Sequence, residues 1–264
     1  MKAWEYSGVK IFQGRVSVGG VASMKTFSFL LGRSLIDTGP SRLEKVLLPL
    51  LVKCRVDRIL LTHFHEDHSG NAARLQRERG IPVYVSPGSL DICGKDADIP
   101  LYRRYVWGGR KKFNPTPLGE FIETEEGPLK VIGTPGHSDD HVCFLDSSRG
   151  IVFTGDLFVT PRTRTVMRYE SVPGIIRSIR ALLKKDFHTL FCAHAGVVEN
   201  GRGMMEAKLD YLEGLREEVL RLHMTGMPVK KIERRFFKPQ FLTWFSGNEW
   251  SSRHIITSII NEGK

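Results

Sequence analysis

The chain has 264 residues, 41% of them hydrophobic and 9% aromatic, and 39 Lys and Arg against 29 Asp and Glu give a net charge of +10. This composition excludes wholesale disorder, and no apolar run approaches the roughly 18 residues of a membrane span. The N-terminal segment lacks the apolar stretch of a secretory signal and the four cysteines form no CxxC pair. We therefore expect reduced thiols, a cytoplasmic protein and no membrane association. The charge suggests an anionic substrate or partner.

Short apolar runs alternate with helical patterns over the first two thirds of the chain, which is typical of the α/β class. Helices are predicted over 43–53, 71–79 and 172–185. The predicted strands are Val9–Val18, Phe27–Leu31, Ser34–Ile36, Arg58–Thr62, Val83–Val85, Leu129–Ile132, Val142–Leu145, Ile151–Phe153 and Thr189–Cys192.

Two segments depart from this alternation. Residues 94–127 are rich in Gly and Pro and show little periodicity, so we expect a functional loop or lid there. After residue 203, apolar residues recur at steps of three and four, which predicts an amphipathic helix followed by shorter helical pieces. Both segments carry basic clusters: Arg103, Arg104, Arg110, Lys111 and Lys112 in the first, and Lys230, Lys231, Arg234, Arg235 and Lys238 in the second.

The strongest chemical signal is residues 62–68, with the sequence THFHEDH, directly after a predicted buried strand. In an extended chain His63 and His65 point to the same side and can bind one ion. Asp67 and His68 follow the turn of the chain and can reach a second ion. A run of polar surface residues is the alternative interpretation, but the apolar strand that leads into the cluster argues against it.

Three further residues that can bind a metal ion follow predicted strands. His137 comes after a Pro-Gly turn, Asp156 after Thr-Gly, and His194 after the strand that ends at Cys192. Each residue alone is more often a turn histidine or a capping aspartate. Their repeated placement just beyond short apolar runs, together with residues 62–68, indicates one metal centre. Imidazole and carboxylate ligands suit zinc, iron or manganese.

This order of motifs resembles the metallo-β-lactamase superfamily, and in particular its glyoxalase II-like and general metallo-hydrolase branch. The upstream motif Ile36-Asp37-Thr38-Gly39 is similar to that family's early strand end. The resemblance implies an α/β fold, an αββα sandwich with the metal site at one edge of the two sheets. Together with the change of pattern near residue 203, the resemblance leads us to expect a metallo-β-lactamase-like catalytic domain over 1–201 and a C-terminal helical extension over 202–264 packed on it.

The resemblance also implies a ligand set for two divalent ions, with zinc expected and iron or manganese as alternatives. His65 stands where the oxygen-reducing diiron branch usually has glutamate, which argues against that branch. By the resemblance, the first ion is bound by His63, His65 and His137, the second by Asp67, His68 and His194, and Asp156 bridges both.

Two such ions lower the pKa of a bridging water from ~15.7 toward ~7 and make hydroxide available at neutral pH. We expect this hydroxide to attack the substrate, with Asp67 as the catalytic residue that holds it and can take its proton. Asp37 is expected to support the centre from behind. Cys192 is expected to be a packed thiol, although a ligand role close to His194 is the alternative.

The candidate substrate-binding residues are Arg162, Arg164, Arg168 and His141. The three arginines could clamp an anion, and the alternative is that they are exposed loop residues without such a role. The Cys-x-Arg feature of glyoxalase II is missing after Asp156. We expect a small anionic ester, thioester or lactone as substrate. A phosphodiesterase or endoribonuclease that uses the basic clusters is the alternative enzyme. A nucleic-acid-binding protein with a non-catalytic metal site is the alternative of another class. A homodimer is compatible with the sequence.

Overall fold

The computed structural model describes residues 1–18, 20 and 22–262. Its first sheet has seven strands in the order β1 to β7, antiparallel from β1 to β4 and parallel from β4 to β7. These strands are β1 (Lys2–Tyr6), β2 (Val9–Val18), β3 (Ala22–Leu31), β4 (Ser34–Ile36), β5 (Arg58–Leu60), β6 (Val83–Val85) and β7 (Pro115–Pro117).

The second sheet has six strands in the order β14-β13-β11-β10-β9-β8, and only β11 and β13 are parallel. A separate two-stranded sheet joins β12 to β15. The bounds are β8 (Phe121–Thr124), β9 (Gly127–Gly133), β10 (Val142–Asp146), β11 (Ile151–Gly155), β12 (Val166–Met167), β13 (Thr189–Cys192), β14 (Gly196–Val198) and β15 (Trp250–Ser251).

Ten α-helices flank or connect these sheets in the described part of the chain. They are α1 (Glu44–Val52), α2 (Glu66–Ser69), α3 (Ala72–Arg79), α4 (Leu90–Cys93), α5 (Leu101–Trp107), α6 (Val172–Leu183), α7 (Gly201–Met224), α8 (Val229–Phe236), α9 (Phe241–Phe245) and α10 (Ser252–Ile260). None of these described helices combines the length and apolar character needed to cross a bilayer.

The two sheets pack face to face around an aromatic core. Phe29 of β3 contacts Phe153 of β11 and Phe191 of β13, with ring centroids 5.7 and 5.4 Å apart. Helices α1, α3 and α4 cover the outer face of the first sheet, and α6, α7, α8 and α10 cover that of the second. The predicted αββα sandwich is therefore confirmed, because each sheet buries one face on the other sheet and one on helices.

The C-terminal helices share an apolar cluster with the second sheet. Met205, Leu212 and Val219 of α7 belong to that cluster, together with Ile176 and Ile179 of α6. The spacing of three and four residues along α7 matches the predicted amphipathic helix. The C-terminal region makes a second contact through β15, which pairs with β12 in the segment that follows Asp156.

The expectation of an irregular loop over residues 94–127 is wrong for part of that segment. It contains α5, β7 and β8, and β7 extends the parallel part of the first sheet. Local periodicity is weak here because the segment is held by long-range polar contacts. Arg103 (7% exposed) forms an ion pair with Glu66, and Arg110 (2% exposed) donates to the carbonyls of Ile92 and Lys95. Neither arginine belongs to an exposed basic surface.

Candidate metal centre

Residues 62–68 occupy the turn that leads from β5 into α2, at one edge of the sheets. Asp37, which follows β4, holds this turn by accepting hydrogen bonds from the Thr62 backbone N–H (2.9 Å) and hydroxyl. Its carboxylate also lies 2.8 Å from Nδ1 of His68. Asp37 has a φ of +55°, a region that non-glycine residues rarely adopt. Through these contacts Asp37 fixes the turn and the ring of His68, which is the supporting role expected from the sequence.

The first group of candidate ligands contains only imidazoles. Nδ1 of His65 lies 2.9 Å from Nε2 of His63 and 3.0 Å from Nε2 of His137. Burial, followed by the charges of neighbouring histidines, lowers the pKa of His63 and His65 well below the usual value. Both rings are therefore neutral near pH 7. The candidate ligand nitrogens of His63, His65 and His137 lie close enough together to bind one cation.

The second group combines Asp67, His68, Asp156 and His194, whose candidate ligand atoms lie within 4.8 Å of one another. Nε2 of His194 is 3.3 Å from Asp67 and 3.4 Å from Asp156, and Nε2 of His68 is 3.4 Å from Asp156. Burial opposes charge here, yet His194 and His68 hold the pKa of Asp156 well below its usual range. The carboxylate is therefore ionised and available to a metal.

Asp156 connects the two groups. Its Oδ1 faces His68 and His194, and its Oδ2 lies 3.5 Å from Nε2 of His137 in the first group. The preceding Gly155 has a φ of +46°, and a Cβ there would stand 2.7 Å from His141 and 2.8 Å from Thr62. Only glycine lets the chain turn this close to both side chains. The Thr-Gly-Asp motif therefore places the Asp156 carboxylate between the two groups of candidate ligands.

The donor set fits divalent metal ions. Nε2 of His68 and Oδ1 of Asp156 are buried and have no hydrogen-bond partner among the described residues. Buried polar atoms are rarely left in this state without an ion or water. Imidazole and carboxylate donors are the ligands of zinc and of other transition metals. The structure thus brings together all seven residues that the sequence predicted as ligands.

Each of the five histidines also has a partner for the nitrogen that faces away from the centre. Such outward contacts fix the ring orientation and the tautomer of metal-binding histidines. The partners are the Thr62 hydroxyl for His63 (3.1 Å), the Tyr169 hydroxyl for His65 (2.8 Å), Asp37 for His68 (2.8 Å), Glu170 for His137 (3.0 Å) and the Lys25 carbonyl for His194 (2.8 Å).

Tyr169 and Glu170, two consecutive residues that support the first group, were not predicted from the sequence. Glu170 is 9% exposed and also accepts a hydrogen bond from the Met167 N–H (2.7 Å), which fixes its carboxylate against His137. No local spacing relates these two residues to the histidines, because they reach the site from the segment between β12 and α6. The sequence offered one indication of these two residues, a tyrosine and a glutamate just before the predicted start of a helix.

We expect Glu170→Gln and Tyr169→Phe each to weaken metal binding by about 10- to 100-fold, the usual effect of removing an outer contact of a histidine ligand. The measurement is competition for zinc with a calibrated chelator. Glu120→Gln and Tyr105→Phe, at exposed positions, are the matched controls. Unchanged zinc affinity in both site variants would show that these contacts do not support the centre.

The expectation that His141 binds substrate is not supported by its position. His141 is 1% exposed, its Nδ1 lies 2.8 Å from the Thr134 hydroxyl, and its Nε2 accepts a hydrogen bond from the Asp156 N–H (3.1 Å). Burial and nearby His137 lower the pKa of His141 to about 3. With both ring nitrogens occupied, the neutral ring positions the Asp156 backbone and has no donor left for a substrate.

Other residues near the centre have structural contacts. Asp140 joins the turn after His137 to the His cluster, because it accepts hydrogen bonds from the Phe64 N–H (2.9 Å) and the Ser138 hydroxyl (2.6 Å). The Cys192 sulfur is fully buried, accepts weak hydrogen bonds from the N–H groups of His194 and Ala195, and burial raises its thiol pKa. A buried thiol of this kind acts in packing and not as a thiolate ligand.

A cavity of about 810 Å³ opens beside the centre and reaches His137, Asp156 and His194. Arg162 and Arg164 line it, whereas the exposed Arg168 is not among the described residues that do. The predicted three-arginine clamp therefore has two members at most.

Lys208 of α7 also lines this cavity, although it was not predicted as a site residue. It is 4% exposed, and burial lowers its pKa to about 8, so the ammonium group is charged at pH 7. A lysine on the apolar face of an amphipathic helix was the sequence signal for it.

Comparison with known proteins identifies the family. The sequence model of the Metallo-beta-lactamase superfamily matches residues 29–194, which is more than half of the chain. The chain therefore belongs to this superfamily, as its motifs predicted. In fold it is similar to a metallo-beta-lactamase family protein of Thermus thermophilus, with a TM-score of 0.65 and 19% identity over 95% of this chain and 90% of that chain.

Two curated relatives are also similar in sequence. An atrochrysone carboxyl ACP thioesterase of Aspergillus fumigatus is 28% identical over 74% of this chain and 58% of its own length. A beta-lactamase-like protein 2 homolog of Drosophila melanogaster is 24% identical over 90% of this chain and 83% of its own length. The chain thus spans less than two thirds of the thioesterase.

Proposed function

We propose that the protein is a metal-dependent hydrolase that cleaves a thioester, or a related ester or lactone, with two divalent ions bound by the two ligand groups. The observation that carries this proposal is the pair of adjoining groups, joined by Asp156, on the wall of a large cavity. Zinc is the proposed ion because five imidazoles and two carboxylates suit it. The likeness to a fungal thioesterase supports a thioester over other acyl substrates.

Divalent ions bound at these groups would acidify a water molecule and polarise the substrate carbonyl. The residues of the chain supply the remaining steps. Asp67, whose Oδ2 faces His194 at 3.3 Å, would accept the proton that the attacking water loses. Val159, Leu242 and Trp250 give the cavity an apolar wall that can pack against an acyl chain.

Removal of metal is the first test of this proposal. Dialysis against a chelator should abolish turnover, because no other described group in the cavity can activate water in this way, and zinc should restore it. Elemental analysis of the restored protein should find near two ions per chain. Metal-free protein with full activity would overturn the proposal, and a single ion per chain would overturn its binuclear part.

The substrate class needs a panel of substrates. Thioester, p-nitrophenyl ester, lactone and bis-p-nitrophenyl phosphate substrates should be assayed beside single-stranded RNA with the zinc-loaded protein. We expect the highest kcat/KM on the thioester. Activity confined to the phosphodiester or to RNA would favour the phosphodiesterase alternative, and RNA binding without any cleavage would favour a non-catalytic role.

A further inference from the structure

Lys208 is an unusual residue on the face of α7 that packs into the protein. Its neighbours on that face, Met205 and Leu212, are apolar and buried, and Lys208 is itself 4% exposed. Its side chain nevertheless lines the catalytic cavity together with Asp156 and His194. A cation in such a position is costly to bury unless it gains strong partners.

The described residues supply one hydrogen-bond acceptor, one aromatic ring and no anion. Nζ of Lys208 donates to the Leu157 carbonyl at 2.8 Å and lies 6.0 Å from the centroid of the Phe158 ring, and no described carboxylate lies within 4.0 Å of it. An ammonium group has three N–H donors, so two remain for other acceptors. A neutral hydrogen-bond donor at this position could also bind the Leu157 carbonyl, and its burial would cost less desolvation free energy than that of an ammonium group. A charged Lys208 would therefore be stabilised by an anion, and the described residues do not provide one in contact with it.

The other cations of the cavity differ from Lys208 in exposure. Lys25, Arg162 and Arg164 also line it, but they are exposed and their charges are screened by water. A buried ammonium held by a backbone carbonyl is fixed in place and acts in a medium of lower dielectric, where its attraction to an anion is stronger.

We propose that Lys208 forms a carboxylate-binding subsite in the wall of the catalytic cavity and selects substrates whose acyl part carries a carboxylate. This inference rests on the proposed thioester hydrolysis and names the substrate class for the same site. It replaces the three-arginine clamp expected from the sequence with one buried cation.

The kinetic test compares two thioesters of N-acetylcysteamine with equal chain length, succinyl and butanoyl, which differ by a carboxylate in place of a methyl group. Lys208→Met should raise KM for the succinyl substrate by about 10- to 100-fold, the effect of losing a charged hydrogen bond. It should change KM for the butanoyl substrate by less than about 3-fold, the effect of a weak neutral contact. Lys208→Arg, which retains the charge, should recover part of the succinyl preference.

The matched control is Arg221→Met, which removes one exposed charge from the same helix. It should leave both KM values unchanged. Equal effects of Lys208→Met on both substrates, together with a lower melting temperature, would show that Lys208 is structural and would overturn the proposal.

A binding measurement separates this inference from the proposed function. Calorimetry of the zinc-loaded wild-type protein should show tighter binding of succinate than of butanoate, and Lys208→Met should abolish the difference. If the wild-type protein hydrolyses neither thioester, the proposed function fails while this measurement still decides on Lys208. Equal affinity of the wild-type protein for the two acids would overturn the subsite, whether or not the variant folds.

Discussion

Asp156→Asn is expected to lower kcat/KM on a thioester by about 1,000-fold or more. The Asp156 carboxylate joins the two groups of candidate ligands, and bound metal ions contribute several kcal/mol of transition-state stabilisation. Asp156 faces His68 and His194 through one oxygen and His137 through the other. An amide keeps the size of the side chain but removes the negative charge and one of the two oxygens. The zinc content should fall from near two toward one per chain.

The measurement pairs steady-state kinetics with elemental analysis and a circular dichroism spectrum. Asp186→Asn, at an exposed position outside the centre, is the control and should behave like the wild-type protein. A variant with native spectrum, two zinc ions and undiminished turnover would contradict the role given to Asp156.

Arg103→Met is expected to lower the free energy of unfolding by about 3–5 kcal/mol, because it leaves the Glu66 carboxylate buried and unpaired. Arg103 donates to both oxygens of Glu66, at 2.6 and 2.7 Å, and Glu66 is 2% exposed. The thermal midpoint should fall by about 6–20 °C. Arg103 also donates to the Tyr169 hydroxyl at 3.2 Å, so weaker zinc binding should accompany the loss.

The double variant Glu66→Gln/Arg103→Met tests the cause of this loss. It removes both charges, so it should be clearly more stable than Arg103→Met alone. Lys111→Met, which breaks the exposed pair with Asp96, is the control and should cost less than about 1 kcal/mol. If the double variant is no more stable than the single one, lost packing and not the unpaired charge explains the effect.

Several strands of both sheets were predictable because each is a short apolar run with clear ends. Ser34–Ile36, Val83–Val85 and Thr189–Cys192 have the bounds predicted for them. β1 was not predicted, because it is an edge strand with mostly exposed residues and no alternation of burial. Helix α5 was missed because a buried ion pair holds it, and the partner, Glu66, is 37 residues away from Arg103.

The sequence by itself identified the seven candidate ligands, because they follow predicted strands and their residue types occur in a recognisable order. Tertiary structure alone decided how these candidate ligands are supported and which buried cation lines the cavity beside them. Tyr169 and Glu170 reach the site from the segment between β12 and α6, and Lys208 reaches it from α7, through contacts between residues that are 33 to 104 positions apart. Such contacts depend on the packing of whole layers, and no local period in the sequence records them.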